Sequence, residues 1–173
     1  PGSFSIWRDG IASFIGWFLD YEKPIVLVDD FNTGLKEVQQ HFIRLGYDNL
    51  KGFLAGGFPA WCRQAQETAT IGTCTVMQLH ERLRHDTPFV LDVRDKRNWN
   101  SQGHIHGAVH CYVGELPDHL DEIPKNLPVI VCCDSGYKGS TAASLLRMNR
   151  FSDVTNVLGG MQAWELAGFD REK

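Results

Sequence analysis

Apolar positions along the chain follow two rhythms. Short β-branched runs at residues 24–30 (Pro-Ile-Val-Leu-Val-Asp-Asp), 50–54, 88–93, 109–113 and 128–132 have the length and composition of buried strands. Between them the spacing turns helical. Residues 35–45 put Val38, Phe42 and Leu45 on one face, and Ala142, Ala143, Leu145 and Leu146 recur in the same way after residue 140. Thr75 with Gln78 three residues later reads as a capping box that opens a helix running to Arg84. Residues 95–102 suit a polar turn or short helix, Gly114 closes the strand before it, and residues 116–123 form a short helix that stops before Pro124. Strands alternating with helices predict an α/β fold with a mainly parallel sheet flanked by helices on both faces.

The pattern also occurs twice. Pro-Ile-Val-Leu-Val-Asp-Asp at 24 parallels Pro-Val-Ile-Val-Cys-Cys-Asp at 128, 104 residues on. Ala-Gly-Gly-Phe-Pro-Ala-Trp at 55 parallels Leu-Gly-Gly-Met-Gln-Ala-Trp at 158, 103 residues on. Two copies of one α/β unit are therefore expected. The first is incomplete, because Pro1-Gly2-Ser3 aligns with His106-Gly107-Ala108 and nothing stands for the opening strand and helix. The expected division is 1–63 for the incomplete copy, a polar linker at 64–72, and 73–173 for the complete one, the whole being the C-terminal part of a longer protein. A sheet short of strands should have an exposed edge and an unburied core. Phe14 to Phe18 should form a helical core face in an intact copy and be partly exposed in this incomplete one, and Trp61 and Trp164 should anchor the two cores.

Composition narrows the chemistry. With 173 residues, 43% of them hydrophobic, the chain can build one core or two small ones. A formal charge of -4 without a basic cluster argues against nucleic acid, and no apolar run reaches the ~18 residues of a membrane helix. Five cysteines (62, 74, 111, 132 and 133) lack zinc or disulfide spacing, which suits a reducing cytoplasm. Four of them, Cys62, Cys74, Cys111 and Cys132, are expected as small core residues. His104, His106 and His110 resemble a metal triad only in part, since no Asp accompanies them, so no metal and no cofactor is expected.

Cys133 is different. It follows a buried strand and begins a loop in which Gly136 and Gly139 let backbone N–H groups turn inward, ahead of a helix expected near Ser140. Such a loop holds an anion, and Lys138 adds a cation that favours the thiolate while Asp134 opposes it. Asp92 and Arg94 lie where a parallel strand ends, a rim used for ligands, and read either as support for the loop or as an internal ion pair. Tyr137 at the loop crest would pack a substrate's tail or cover the loop.

These residues resemble the rhodanese-like sulfurtransferases. Cys133-x-x-Gly136-x-Lys138 is similar to that family's active-site loop, Leu91 to Asp95 to its strand motif, Gly103 to Ala108 to its Gly-His-Ile-Pro-Gly-Ala segment, and Leu158 to Trp164 to its closing motif. His106, Asn98 and Gly139 stand where Pro, Glu and Ser are frequent. The resemblance, over residues 73 to 170, implies a rhodanese-like fold and Cys133 as the catalytic residue. The loop from Asp134 through Ser135, Gly136, Tyr137 and Lys138 to Gly139 would bind the substrate. A small sulfane-sulfur donor such as thiosulfate or a low-molecular-weight persulfide would load Cys133, and a thiol or cyanide would unload it. Asp134 disfavours a dianion, which tilts the expectation towards a persulfide. In the first copy Asp29 or Asp30, depending on register, takes the cysteine's place, so that copy is expected to be inactive. Paired copies of this kind are similar to the C-terminal part of fusions with a metallo-β-lactamase-fold persulfide dioxygenase. That implies an attached domain of this kind as a partner. The alternative is a module that senses redox state or scaffolds an attached enzyme. A phosphatase of the same fold needs a loop one residue longer, ending in Arg, and position 139 is Gly.

Overall fold

The computed structural model describes residues 2–173, in two compact units, residues 7–69 and residues 70–173 joined by 2–6. The second unit carries a five-stranded sheet: β3 (Gly72–Thr75), β4 (Phe89–Asp92), β5 (Val109–His110), β6 (Val129–Cys132) and β7 (Val154–Leu158). Its order is β3-β7-β6-β4-β5, and every pair is parallel. Central β6 is buried at every residue, as a strand covered on both faces must be. On one side Val90, Ile130, Cys132 and Val157 meet Val76 and Leu79 of α4 (Val76–Arg82) and Met161 and Trp164 of α7 (Gly160–Leu166). α6 (Tyr137–Met148) packs with a 3₁₀ segment, Leu116–Glu122. The expected capping box opens α4: the Gln78 N–H donates to Thr75 Oγ1 at 3.2 Å and the Thr75 N–H to Gln78 Oε1 at 2.9 Å. The short α5 (Lys96–Gln102) starts on the Asp95 carboxylate.

The first unit has two parallel strands, β1 (Ile25–Leu27) and β2 (Leu50–Phe53), with α2 (Leu35–Arg44) and α3 (Gly57–Arg63). Val26, Val28, Phe31 and Phe53 are all more than half exposed.

Several expectations change. Gly72–Thr75 is a strand, although half of it is Thr and it begins inside the expected linker; an edge strand with one neighbour needs little apolar surface. The strand at 109 ends at His110, because the Tyr112 carbonyl already accepts from Glu115 and Leu116 in a turn. Residues 11–17 make a short α1 (Ile11–Phe14) and a 3₁₀ turn rather than one helix, with Ile15 fully buried and Trp17, as expected of an incomplete copy, 51% exposed. Cys62 is exposed and Trp61 half-buried on α3, which lies over a sheet of only two strands. α6 begins at Tyr137, three residues before Ser140, because Gly136 turns the chain at φ 102°. Residues 2–6 group with the second unit, where the Ser5 N–H donates to Ser144 Oγ at 3.1 Å.

Candidate active site around Cys133

Cys133 leaves the end of β6 and is 1% exposed. Its Sγ accepts from the Gly136 N–H at 3.0 Å and the Gly139 N–H at 3.3 Å. Two inward amides at the start of a 12-residue helix are placed to hold negative charge on sulfur or on an atom bonded to it. The loop backbone is held from the other side by α7. Cys133 and Asp134 carbonyls accept from the N–H groups of Met161, at 2.7 Å, and Gln162, at 3.0 Å. Gly160 permits that approach: its φ is 51°, and a Cβ there would overlap the Cys133 carbonyl oxygen. The second glycine of the closing motif's Gly-Gly pair therefore acts on the cysteine loop.

Asn156 of β7, which nothing in the sequence pattern singled out, is the third support. It is buried, its Nδ2 donates to the Gly136 carbonyl at 3.0 Å, and its Oδ1 has no hydrogen-bond partner. A side chain at Gly139 would overlap that oxygen. A polar residue on a central strand was the available signal.

The remaining loop residues differ in what they offer. Tyr137 is 60% exposed at the crest, Ser135 is half-buried, and Ser140 Oγ donates to the Tyr137 carbonyl at 2.8 Å. Lys138, the cation of the loop, donates its Nζ to Asp134 Oδ2 at 2.8 Å and lies 4.0 Å from Asp95. Burial works against its ammonium, yet the hydrogen bond and charge of Asp134 outweigh it and the pKa is raised. Asp134 also accepts from Asn98 Nδ2 at 3.1 Å.

Asp92 and Arg94 form an internal pair. Arg94 Nε and Nη2 reach both Asp92 oxygens at 2.7 to 3.0 Å, with the side chains 1% and 0% exposed. Arg94 Nη2 also donates to the Gly103 carbonyl at 2.8 Å, tying the strand end to the 103–108 segment. The three histidines engage neighbouring side chains and backbone: His104 stacks on Trp99 and lies 3.9 Å from Glu172, His106 lies 3.0 Å from the same carboxylate, and His110 packs against Trp99 while its Nε2 meets the Arg94 carbonyl at 2.8 Å. Among the described residues no group of three or more His, Cys, Asp or Glu could hold a metal ion. Nor is any helix long and apolar enough to cross a membrane. Burial pushes the thiols of Cys74 and Cys132 up, and that of Cys111 to about 11, which keeps them protonated. A cavity of about 440 Å³ near His80, Pro88 and Trp164 sits at the opposite ends of the strands from Cys133.

In the first unit, contacts around Asp29 parallel those around Cys133. A Cβ on Gly57 would overlap the carbonyls of Asp29 and Asp30, as one on Gly160 would those of Cys133 and Asp134. The Phe58 N–H donates to the Asp29 carbonyl at 3.1 Å, matching Met161 and Cys133, and this register puts Asp29 in the cysteine's place. Trp61 Nε1 and Trp164 Nε1 each donate to the carbonyl six residues on. The Asp29 carboxylate accepts from the Thr33 N–H at 3.2 Å and from Arg8 at 3.5 Å, so the first loop already holds an anion of its own.

Comparison with known proteins adds the relatives. The family model described as Rhodanese-like domain matches residues 75–167, more than half of the chain. The thiosulfate sulfurtransferase GlpE of Pseudomonas fluorescens (strain SBW25) is 34% identical over 84 residues, 49% of this chain and 76% of that protein. The Bacillus subtilis (strain 168) protein named "Putative sulfur carrier protein YrkF" is 25% identical over 129 residues, which are 74% of this chain but only 62% of that protein. Among solved structures, the rhodanese-like domain protein from Staphylococcus aureus is 27% identical with a TM-score of 0.53, over 60% of this chain and 100% of that one. The rhodanese-like domain of the Anabaena Alr3790 protein is 28% identical with a TM-score of 0.54, over 60% and 80%.

Proposed function

The chain belongs to the rhodanese-like domain family, and from that premise we propose that it is a sulfurtransferase working through Cys133. The observation that carries the reading is the pair of amides, Gly136 and Gly139, converging on Cys133 Sγ. The Cys133 thiolate attacks the outer sulfur of a donor, and the donor's S–S bond breaks with its electron pair leaving on sulfite or on a thiolate. The sulfur stays as a Cys133 persulfide. Cyanide or an acceptor thiolate then attacks that outer sulfur, taking it as thiocyanate or a new persulfide and returning the Cys133 thiolate. The two amides hold the charge on the persulfide throughout, each such bond being worth ~1.5 to 3 kcal/mol. No metal is needed for this sequence.

The donor in this reading is a low-molecular-weight persulfide rather than thiosulfate. Support comes from Lys138, whose charge is matched inside the protein by Asp134 and Asp95 and so offers a compact dianion little. Residues 7–69 are read as a rhodanese copy without a nucleophile, Asp29 filling its anion cradle, and residues 70–173 as the active domain. A metallo-β-lactamase-fold persulfide dioxygenase is the attached partner this pairing suggests, since it would act on the same class of persulfide.

Intact mass after brief exposure to glutathione persulfide or thiosulfate, beside Cys133→Ser, tests the proposal. A gain of about 32 Da, one sulfur, that cyanide removes and the variant lacks is the expected result. No gain with either donor would return the chain to a redox-sensing or scaffolding role.

A further inference from the structure

The charge that the cysteine loop shows to a donor is set from outside the loop. Lys138 and Asp134 are each 19% exposed, and the ammonium has two carboxylates around it, Asp134 at 2.8 Å and Asp95 at 4.0 Å. Asn98 touches both. Its Nδ2 donates to Asp134 Oδ1 at 3.1 Å, leaving Oδ2 to Lys138, and its backbone N–H donates to Asp95 Oδ1 at 2.9 Å. Gln102 Nε2 donates to Asn98 Oδ1 at 3.3 Å, which orients the amide so that its donor side faces Asp134. One cation between two anions leaves the group with a single negative charge, and a neutral residue at 98 keeps that balance.

We propose that Asn98 is the specificity-determining residue of this site. By holding Asp134 without adding charge, it leaves Lys138 fully matched and turns the mouth towards the singly charged sulfur end of an organic persulfide, away from the compact dianion thiosulfate. This rests on the sulfurtransferase reading of Cys133. In both reactions the same thiolate attacks an outer sulfur and the same bond to it forms. The donors differ in leaving group, sulfite or a thiolate, equally in every variant, and in the charge at the end that passes Asp134 and Lys138, so the change in their ratio on substitution at 98 reports the mouth and not the chemistry. A cation at 98 competes for Asp134, cancels the negative charge and frees Lys138; a carboxylate there adds a second negative charge.

The test is kcat/KM for thiosulfate and for glutathione persulfide in the unsubstituted protein, Asn98→Lys and Asn98→Asp, at low and moderate salt. The thiosulfate-to-persulfide ratio should rise about fivefold in Asn98→Lys and fall about as much in Asn98→Asp, the scale of a partly exposed charge pair. The change should lie mainly in KM for thiosulfate and shrink as salt rises. A loop that was merely loosened would lower both donors together and leave the ratio alone. Asn98→Asp is nearly isosteric and carries the test even if the lysine variant unfolds. An unchanged ratio with sulfur transfer intact overturns the role of Asn98 and leaves Cys133 standing. No transfer from either donor in the unsubstituted protein overturns both.

Discussion

Gly139 has no side chain because Asn156 occupies the space one would need. A Cβ would overlap Asn156 Oδ1 and stand 3.7 Å from Cys133 Sγ. A Ser, which the resemblance to rhodanese-like proteins leads one to expect at this place, therefore does not fit without rearrangement. Gly139→Ser should displace Asn156, pull its Nδ2 from the Gly136 carbonyl and disturb the amide that faces sulfur. We expect a clear loss of persulfide formation on Cys133, with overpacking costing ~1–3 kcal/mol in stability. Combining Gly139→Ser with Asn156→Ala removes the collision. The double variant should then be more stable and more readily loaded than the sum of the single ones predicts, by ~0.5–3 kcal/mol of coupling. Additive behaviour in denaturant unfolding and sulfur loading would mean that the two positions do not share this space.

At the scale of elements, the site is where three of them meet: β6 delivers Cys133, the start of α6 supplies the amides, and the start of α7 grips the backbone beneath. Gly160 makes the last contact possible, with φ at 51° and the Cys133 carbonyl against its Cα. Gly160→Ala should part α7 from the loop, costing the Met161 and Gln162 hydrogen bonds, each worth ~0.5–1.5 kcal/mol, in addition to backbone strain. Thermal unfolding and sulfur loading should both suffer; Ala163→Gly, a turn further along α7, should disturb unfolding alone. A Gly160→Ala protein that loads sulfur at the original rate would sever α7 from the loop's function. Much of this was legible in the sequence. Cys133, Gly136 and Gly139 were marked by their spacing behind an apolar strand, and the Thr75 box by a local rule, since both signals lie within a few residues. What was not legible depends on residues brought together from afar. Asn98 reaches Asp134 across 36 positions and Asn156 reaches Gly136 across 20. Lys138 was seen as a charge but not as a charge already matched, and the polar edge strand at Gly72–Thr75 lacked the apolar pattern that marks its neighbours.

At the scale of the whole molecule the two units should differ in stability. Of the largest fully buried side chains, only Ile15 and Tyr47 come from residues 7–69. That unit's sheet has two strands, an arrangement that is marginal by itself, and it leaves Val26, Val28, Phe31 and Phe53 more than half exposed. The second unit has five strands, a β6 buried throughout and a paired Asp92–Arg94 core. Denaturant unfolding should therefore run in two steps, because regions with few buried contacts open at lower free energy. In hydrogen exchange followed by mass spectrometry, amides of β1 and β2 should lose protection first, and those of β4 and β6 last. Between the two steps Cys133 should still take up one sulfur, since every contact described for its loop lies within residues 70–173. A single transition, with β1 and β6 amides released together and sulfur uptake lost at the same denaturant concentration, would mean that the second unit has no stability of its own. Residues 7–69 would then belong to one cooperative fold with residues 70–173 rather than form a less stable unit.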